Sequence, residues 1–167
     1  DINRIAGVPL GGIPFATAIA AKMNLPLIMP RKTKKDYGMN NEIEGKMEIG
    51  DDILLIEDTI TTGTSLLETV KMIERNGGLV SKIIVLVDRE EGGFDIIKNQ
   101  GYDISSVFKV SSMFERLRTS HLIDEFVYEK AFNYVNVSRN KFVKELGYIE
   151  GEDVGETADT NDQNEKY

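Results

Sequence analysis

The chain has 167 residues, 41% of them hydrophobic, with a formal net charge of −8, no cysteine and a single histidine, His121. That length supports one domain with a real core; the missing cysteines exclude disulfides and cysteine chemistry and fit a reducing cytoplasm, one histidine excludes a histidine metal cluster, and no apolar run is of transmembrane or secretory-signal type. Residues 150–167 hold seven acids and one lysine, a net −6 that leaves about −2 for the rest, so a nearly neutral body argues against non-specific nucleic-acid binding, and neither nucleic acid nor membrane is expected as a partner.

Asp1-Ile-Asn-Arg-Ile-Ala-Gly7-Val-Pro9-Leu-Gly11-Gly12-Ile-Pro14 reads as a strand running into a Gly/Pro-rich loop. The chain thus opens inside what reads as core, and an incomplete N-terminal part is expected. Phe15-Ala-Thr-Ala-Ile-Ala-Ala-Lys22 then starts a helix. The loop between is either an anion-facing turn or an ordinary tight strand–helix connection. Leu25-Pro-Leu-Ile-Met29 is a short apolar strand. Arg31-Lys32-Thr-Lys34-Lys35-Asp36-Tyr37-Gly38 follows, with four cations in five residues. Such a run is either a solvated charged loop or a mobile basic loop that neutralises a departing polyanion and excludes water.

Glu48-Ile-Gly50-Asp-Asp52 is a turn before the stretch that carries the chemistry, Ile53-Leu-Leu-Ile-Glu57-Asp58-Thr59-Ile60-Thr61-Thr62-Gly63-Thr64-Ser65. Four apolar residues in a row predict a strand covered on both faces. Leu66-Leu-Glu-Thr-Val-Lys-Met-Ile-Glu-Arg75 has helical spacing, so a helix should begin near Thr64 or Ser65. Its first N–H groups and dipole, Gly63 for close approach, and the hydroxyls of Thr61, Thr62, Thr64 and Ser65 make a phosphate cradle. Glu57 and Asp58 would repel that phosphate; they suit vicinal hydroxyls or hydrated Mg²⁺. The expected ligand therefore has a phosphate at one end and a polyol in the middle. No Gly-Lys-Ser/Thr follows, so this is not a Walker A loop.

Asn76-Gly77-Gly78 predicts a helix C-cap. Leu79-Val-Ser-Lys-Ile-Ile-Val-Leu-Val87 is another buried strand, ending in Asp88-Arg89-Glu90-Glu91-Gly92-Gly93. Arg89 could pair with Glu90 or Glu91, or face a ligand with its planar donor fork. Phe94 to Gln100 is a short helix, residues 104–110 an edge strand, and residues 112–118 begin another helix. His121 has no expected catalytic duty. A further helical pattern runs from His121 to Tyr134; Asn136 in Asn-Val-Ser fits a glycosylation acceptor with no signal to support it. Repeated β-α-β units predict an α/β fold with a doubly wound, mostly parallel sheet.

Ile56-Glu57-Asp58-Thr59-Ile60-Thr61-Thr62-Gly63-Thr64-Ser65 resembles the phosphoribosyl-pyrophosphate (PRPP) motif of type I phosphoribosyltransferases. Arg31-Lys32-x-x-Lys35-Asp36-Tyr37-Gly38 with Glu44-Gly45 resembles the catalytic loop of the orotate phosphoribosyltransferases, in the form with tyrosine found in eukaryotic uridine monophosphate synthase. Asp88-Arg89-x-x-Gly-Gly resembles the element of that family whose arginine contacts orotate. The match spans roughly residues 3–118. It implies a type I phosphoribosyltransferase fold and transfer of ribose 5-phosphate from PRPP to orotate, with Mg²⁺. The resemblance places residues 61–65 on the 5-phosphate, with Thr59 in the same substrate-binding stretch. Glu57 and Asp58 go on the ribose hydroxyls, directly or through Mg²⁺, and Arg31, Lys32 and Lys35 on pyrophosphate. Arg89 and Thr61 go on orotate, and Tyr37 in the substrate loop. It also implies a homodimer whose loop 31–45 reaches the neighbouring site. In the family the loop at Gly11 helps hold pyrophosphate, and many members carry a lysine there that this chain lacks. A purine phosphoribosyltransferase and a non-catalytic PRPP-binding regulator remain as other readings. The expected organisation is a core over residues 1–118, N-terminally incomplete, a helical segment at 119–149 and a disordered acidic tail or linker at 150–167. Residues 1–167 alone are expected to be weakly active or inactive.

Overall fold

The computed structural model describes residues 2–31 and 42–145, with side chains through residue 141. Lys32, Lys35 and Tyr37, and the acidic tail, lie outside the described residues. Within them the order is β1 (Arg4–Gly7), α1 (Gly12–Met23), β2 (Leu27–Pro30), β3 (Ile43–Glu44), β4 (Asp52–Ile60), α2 (Thr64–Arg75), β5 (Leu79–Asp88), α3 (Gly93–Asn99), β6 (Ile104–Lys109), α4 (Val110–Thr119) and α5 (Glu125–Glu145). The strands form one six-stranded sheet in the order β3-β2-β1-β4-β5-β6. All neighbouring pairs are parallel except β2 with β3. The expected mostly parallel α/β sheet is what the chain forms.

The central strand β4 owes its place to its run of apolar residues. Ile53, Leu54, Leu55 and Ile56 are at most 5% exposed. Successive side chains leave a strand on opposite faces. Ile53 and Leu55 accordingly pack with Val70 and Ile73 of α2 and Ile97 of α3, while Leu54 and Ile56 pack with Ala16 and Ala20 of α1. The two alanines let α1 lie close to the sheet. On the other face, Leu66, Val70 and Ile73 recur at helical spacing and are all buried. Truncating one of these isoleucines to alanine costs about 2–5 kcal/mol.

Helix α1 starts at Gly12, three residues earlier than its sequence suggests. Pro14 falls in its first turn, where the missing N–H has no intrahelical partner to lose. Helix α2 ends as expected, with Asn76 as cap and Gly77 at φ +92°. Helix α5 is tied to its surroundings by charge. Arg118 of α4 lies 4.6 Å over the Tyr128 ring and reaches Glu125 at 3.3 Å, and Arg139 reaches Asp95 of α3 at 3.4 Å. His121 sits exposed in the turn between α4 and α5 at φ +56°. Among the described residues no helix is long and apolar enough to cross a membrane.

Candidate active site

The strand order has a switch point between β1 and β4. From β1 the chain moves outward to β2 and β3, then returns to β4 and continues the other way. Ligands of open α/β sheets sit outside the carboxyl ends of strands at such a point. A cavity of about 230 Å³ opens there, lined by Pro9 and Gly11 after β1 and by Glu57 through Leu66 at the end of β4 and the start of α2.

Strand β4 runs on through Ile60, so Glu57, Asp58 and Thr59 belong to the strand rather than to the loop after it. Asp58 is turned to the α1 side, against the loop that precedes that helix. Glu57 is buried, and its Oε1 accepts the Asp58 backbone N–H at 3.0 Å. Asp58 Oδ1 accepts the Thr59 N–H at 2.8 Å. The Asp58 carboxylate lies against Gly11, where any Cβ would overlap it. A side chain at position 11 would therefore displace the Asp58 carboxylate. Sequence reading attached Gly11 only to pyrophosphate; the contact between two segments 47 residues apart leaves no local pattern.

The cradle forms at residues 61–65. Gly63 is the N-cap of α2 at φ +78°, a conformation that favours glycine, and no side chain caps the helix. The first amides of α2 therefore face the cavity, before the ladder begins with Leu67 N–H to Gly63 C=O at 2.9 Å. The hydroxyls of Thr62 and Thr64 are 3.1 Å apart at its mouth. Behind it, Gly93 N–H donates to Thr61 C=O at 2.9 Å, so α3 braces the loop. Amides, hydroxyls and the positive end of the helix dipole converge on one end of the cavity, an arrangement that suits an anion.

The other expected site residues divide. Arg31 stands at the carboxyl end of β2, on the same edge of the sheet. Its guanidinium pairs with Glu44, and it is not among the residues lining the cavity. Arg89 lines a second, mainly apolar groove of about 760 Å³, between the end of β5 and helices α4 and α5. Thr59 borders both spaces. In the groove Arg89 pairs with Glu91 at 2.7 Å, and its backbone N–H donates to Ile60 C=O at 3.1 Å. Lys130 and Tyr134 of α5 share the groove, and Phe126 beside them is 73% exposed. Their spacing marks them as helical but not as groove-lining. Among the described residues no three acids or histidines group to hold a metal unaided.

Residues 3–112 match the family described as Phosphoribosyl transferase domain. The orotate phosphoribosyltransferase of Methanothermobacter thermautotrophicus is 46% identical over 111 residues, 66% of this chain and 62% of that protein. The chain spans a little over three fifths of the length of such relatives. The UMP synthase of Leishmania donovani superposes with a TM-score of 0.72 at 31% identity, covering 81% of this chain and 29% of that one. The Mycobacterium tuberculosis orotate phosphoribosyltransferase in complex with PRPP superposes with a TM-score of 0.58 at 32% identity, covering 66% and 64%. The family match, the type I sheet order and the cradle at the switch point agree: this chain belongs to the phosphoribosyl transferase domain family.

Proposed function

We propose that the chain is the catalytic core of an orotate phosphoribosyltransferase, which joins orotate to the ribose 5-phosphate of PRPP and releases pyrophosphate. One observation carries this reading. The cavity at the switch point combines an amide-and-hydroxyl anion cradle at residues 61–65 with Glu57 and Asp58 on the strand before it. The cradle holds the 5-phosphate, and the two carboxylates take the ribose hydroxyls. The donor set also fits Mg²⁺, because it is oxygen-only and too small for a protein cage, leaving ligands to phosphate and water. When bound, Mg²⁺ neutralises charge on the pyrophosphate. Arg31, Lys32 and Lys35 add positive charge at the leaving group, and Tyr37 belongs to the same loop. The ribosyl centre becomes cation-like as pyrophosphate departs, so the chain contributes mainly position and charge.

The base is assigned to the neighbouring groove. Thr59 joins it to the cavity, and Arg89 supplies a planar donor fork for a carboxylate. Residues 1–118 form the proposed core, and the helical segment after it walls the groove. The resemblance to orotate enzymes supports a cytoplasmic homodimer that shares loop 31–45.

The test is pyrophosphate release from PRPP with Mg²⁺, comparing orotate with adenine and hypoxanthine. Release that depends on orotate and exceeds both purines is expected. A preference for a purine would move the chain to another branch of the family. PRPP binding without release for any base would leave either a regulator or a core whose turnover needs more of the length its relatives have, and adding that length separates the two.

A further inference from the structure

Strand β5 runs out into four charged residues, Asp88-Arg89-Glu90-Glu91, and they serve two purposes. Arg89 and Glu91 pair with each other inside the groove. Asp88 and Glu90 are turned to the backbone. The Asp88 carboxylate, 4% exposed, accepts the Glu90 N–H at 2.8 Å. The Glu90 carboxylate accepts the N–H of Ser111, in the first turn of α4, at 2.7 Å. Glu90 itself sits at φ +59°. A glutamate seldom holds that conformation, and it persists only where surrounding contacts over-determine it. Here the two hydrogen bonds do so, one at each end of the residue.

The Arg89 backbone is meanwhile pinned to β4 through Ile60. Its side chain can therefore be re-aimed only through its own rotamers or through the turn that carries its partner Glu91. We propose that Glu90 is a positioning residue: its carboxylate, held on the Ser111 N–H, locks the turn after β5 and so aims the Arg89 guanidinium into the base groove. This rests on the reading of Arg89 as the base-recognising group. Without the tether the 90–91 peptide is free to rotate, Glu91 shifts, and Arg89 loses the partner that holds it in register with Thr59. The sequence offered Glu90 only as a possible ion-pair partner of Arg89, because nothing in a run of acids marks a contact with the backbone of Ser111.

Three variants of the full chain test this. Glu90→Gly accepts the positive φ without strain but has no tether, Glu90→Gln keeps an oxygen for the Ser111 N–H, and Glu90→Ala removes the tether with strain retained. Two readouts are taken: the Arg89 Nε–H resonance without ligand, and the KM values for orotate and PRPP. In Glu90→Gly the Arg89 resonance should move to that of a solvated arginine, and the orotate KM should rise about tenfold while the PRPP KM stays within about twofold. Glu90→Gln should remain within about threefold of wild type in both. An unchanged Arg89 resonance in Glu90→Gly overturns the proposal, as does an equal rise in both KM values or an equal loss in the Gln and Gly variants. If the wild-type chain turns over no orotate while Arg89 still moves in Glu90→Gly, the positioning role stands and the functional reading falls.

Discussion

The two ends of the sheet treat the same side chains in opposite ways. At the amino end of the strands, carboxylates close the structure. Asp51 accepts the Arg4 side chain and the Glu48 N–H at 2.6 Å, Ser81 reaches Asp52 at 2.7 Å, and Lys82 reaches Asp103 at 2.7 Å. Each of these links joins different strands or the turn between them. At the carboxyl end, seven residues along the same stretch, Asp58 accepts only the neighbouring Thr59 N–H among the hydrogen bonds described and lies against a glycine. It stands at the rim of a cavity with hydroxyls and helix amides around it. A parallel sheet collects every strand's carboxyl end on one edge, together with the helix N-termini that follow. That edge is where a carboxylate without a cross-strand cation can serve a ligand, and the other edge is where it serves the fold.

The sharpest way to break this comparison is to remove one aspartate from each end. Asp58→Asn should lower turnover about 10²–10³-fold, the scale of losing one preorganised electrostatic contact, with little change in Tm. Asp51→Ala should do the reverse. It strands the Arg4 guanidinium and the Glu48 N–H, costing about 2 kcal/mol, which lowers Tm by roughly 4–8 °C and leaves kinetic constants per folded molecule unchanged. Calorimetry and steady-state kinetics on both variants decide it. A large Tm loss in Asp58→Asn would mean the carboxyl end is structural as well.

A second difference lies within the carboxyl end itself. The cradle is small and polar; the groove beyond β5 is larger and mostly apolar, with the Arg89–Glu91 pair at its wall. If the two spaces hold different parts of the substrates, Arg89→Ala should raise the orotate KM about 10–100-fold and leave the PRPP KM nearly unchanged. A parallel rise in both would merge the two spaces into one site.

The strand–turn–helix around the cavity was legible because every part of it is local. An unbroken apolar run, two acids, five hydroxyl residues and one glycine lie within thirteen positions, and a single strand–turn–helix assembles them. The sheet was legible for the same reason, since apolar strands and periodic helices alternate along the chain. What escaped depends on distance. Gly11 yields to Asp58 across the sheet, and Arg31 is drawn to Glu44 by a two-residue strand, β3, too short to carry a pattern. The groove wall on α5 escaped because its apolar stripe fits any amphipathic helix. The left-handed Glu90 escaped because residue type gives no hint of it.

The two ends also differ in how protons act on stability, which gives the smallest and most diagnostic effect. At the amino end, hydrogen bonds from Arg4 and then from Glu48 N–H hold the Asp51 carboxyl below its ordinary value of 3.8. The folded protein therefore gives up that proton more readily than the unfolded chain. Its stabilisation is complete above pH 3.8 and fades as pH falls through the lowered value. At the carboxyl end, burial pushes the Asp88 carboxyl above 3.8, against the Glu90 N–H that accompanies it. Here the folded protein takes up the proton first, so this group's contribution becomes more favourable as pH falls from neutrality through the raised value, and it levels off below 3.8. Asp88→Asn keeps an oxygen for the Glu90 N–H and removes the charge. It should stabilise the fold at pH 7, with the advantage over wild type shrinking towards pH 4. Urea unfolding of both proteins between pH 4 and 7 reads that difference directly. A pH-independent gap would assign the effect to packing rather than charge, and a gap that widens towards acid would give Asp88 the same sign as Asp51, erasing the contrast between the ends.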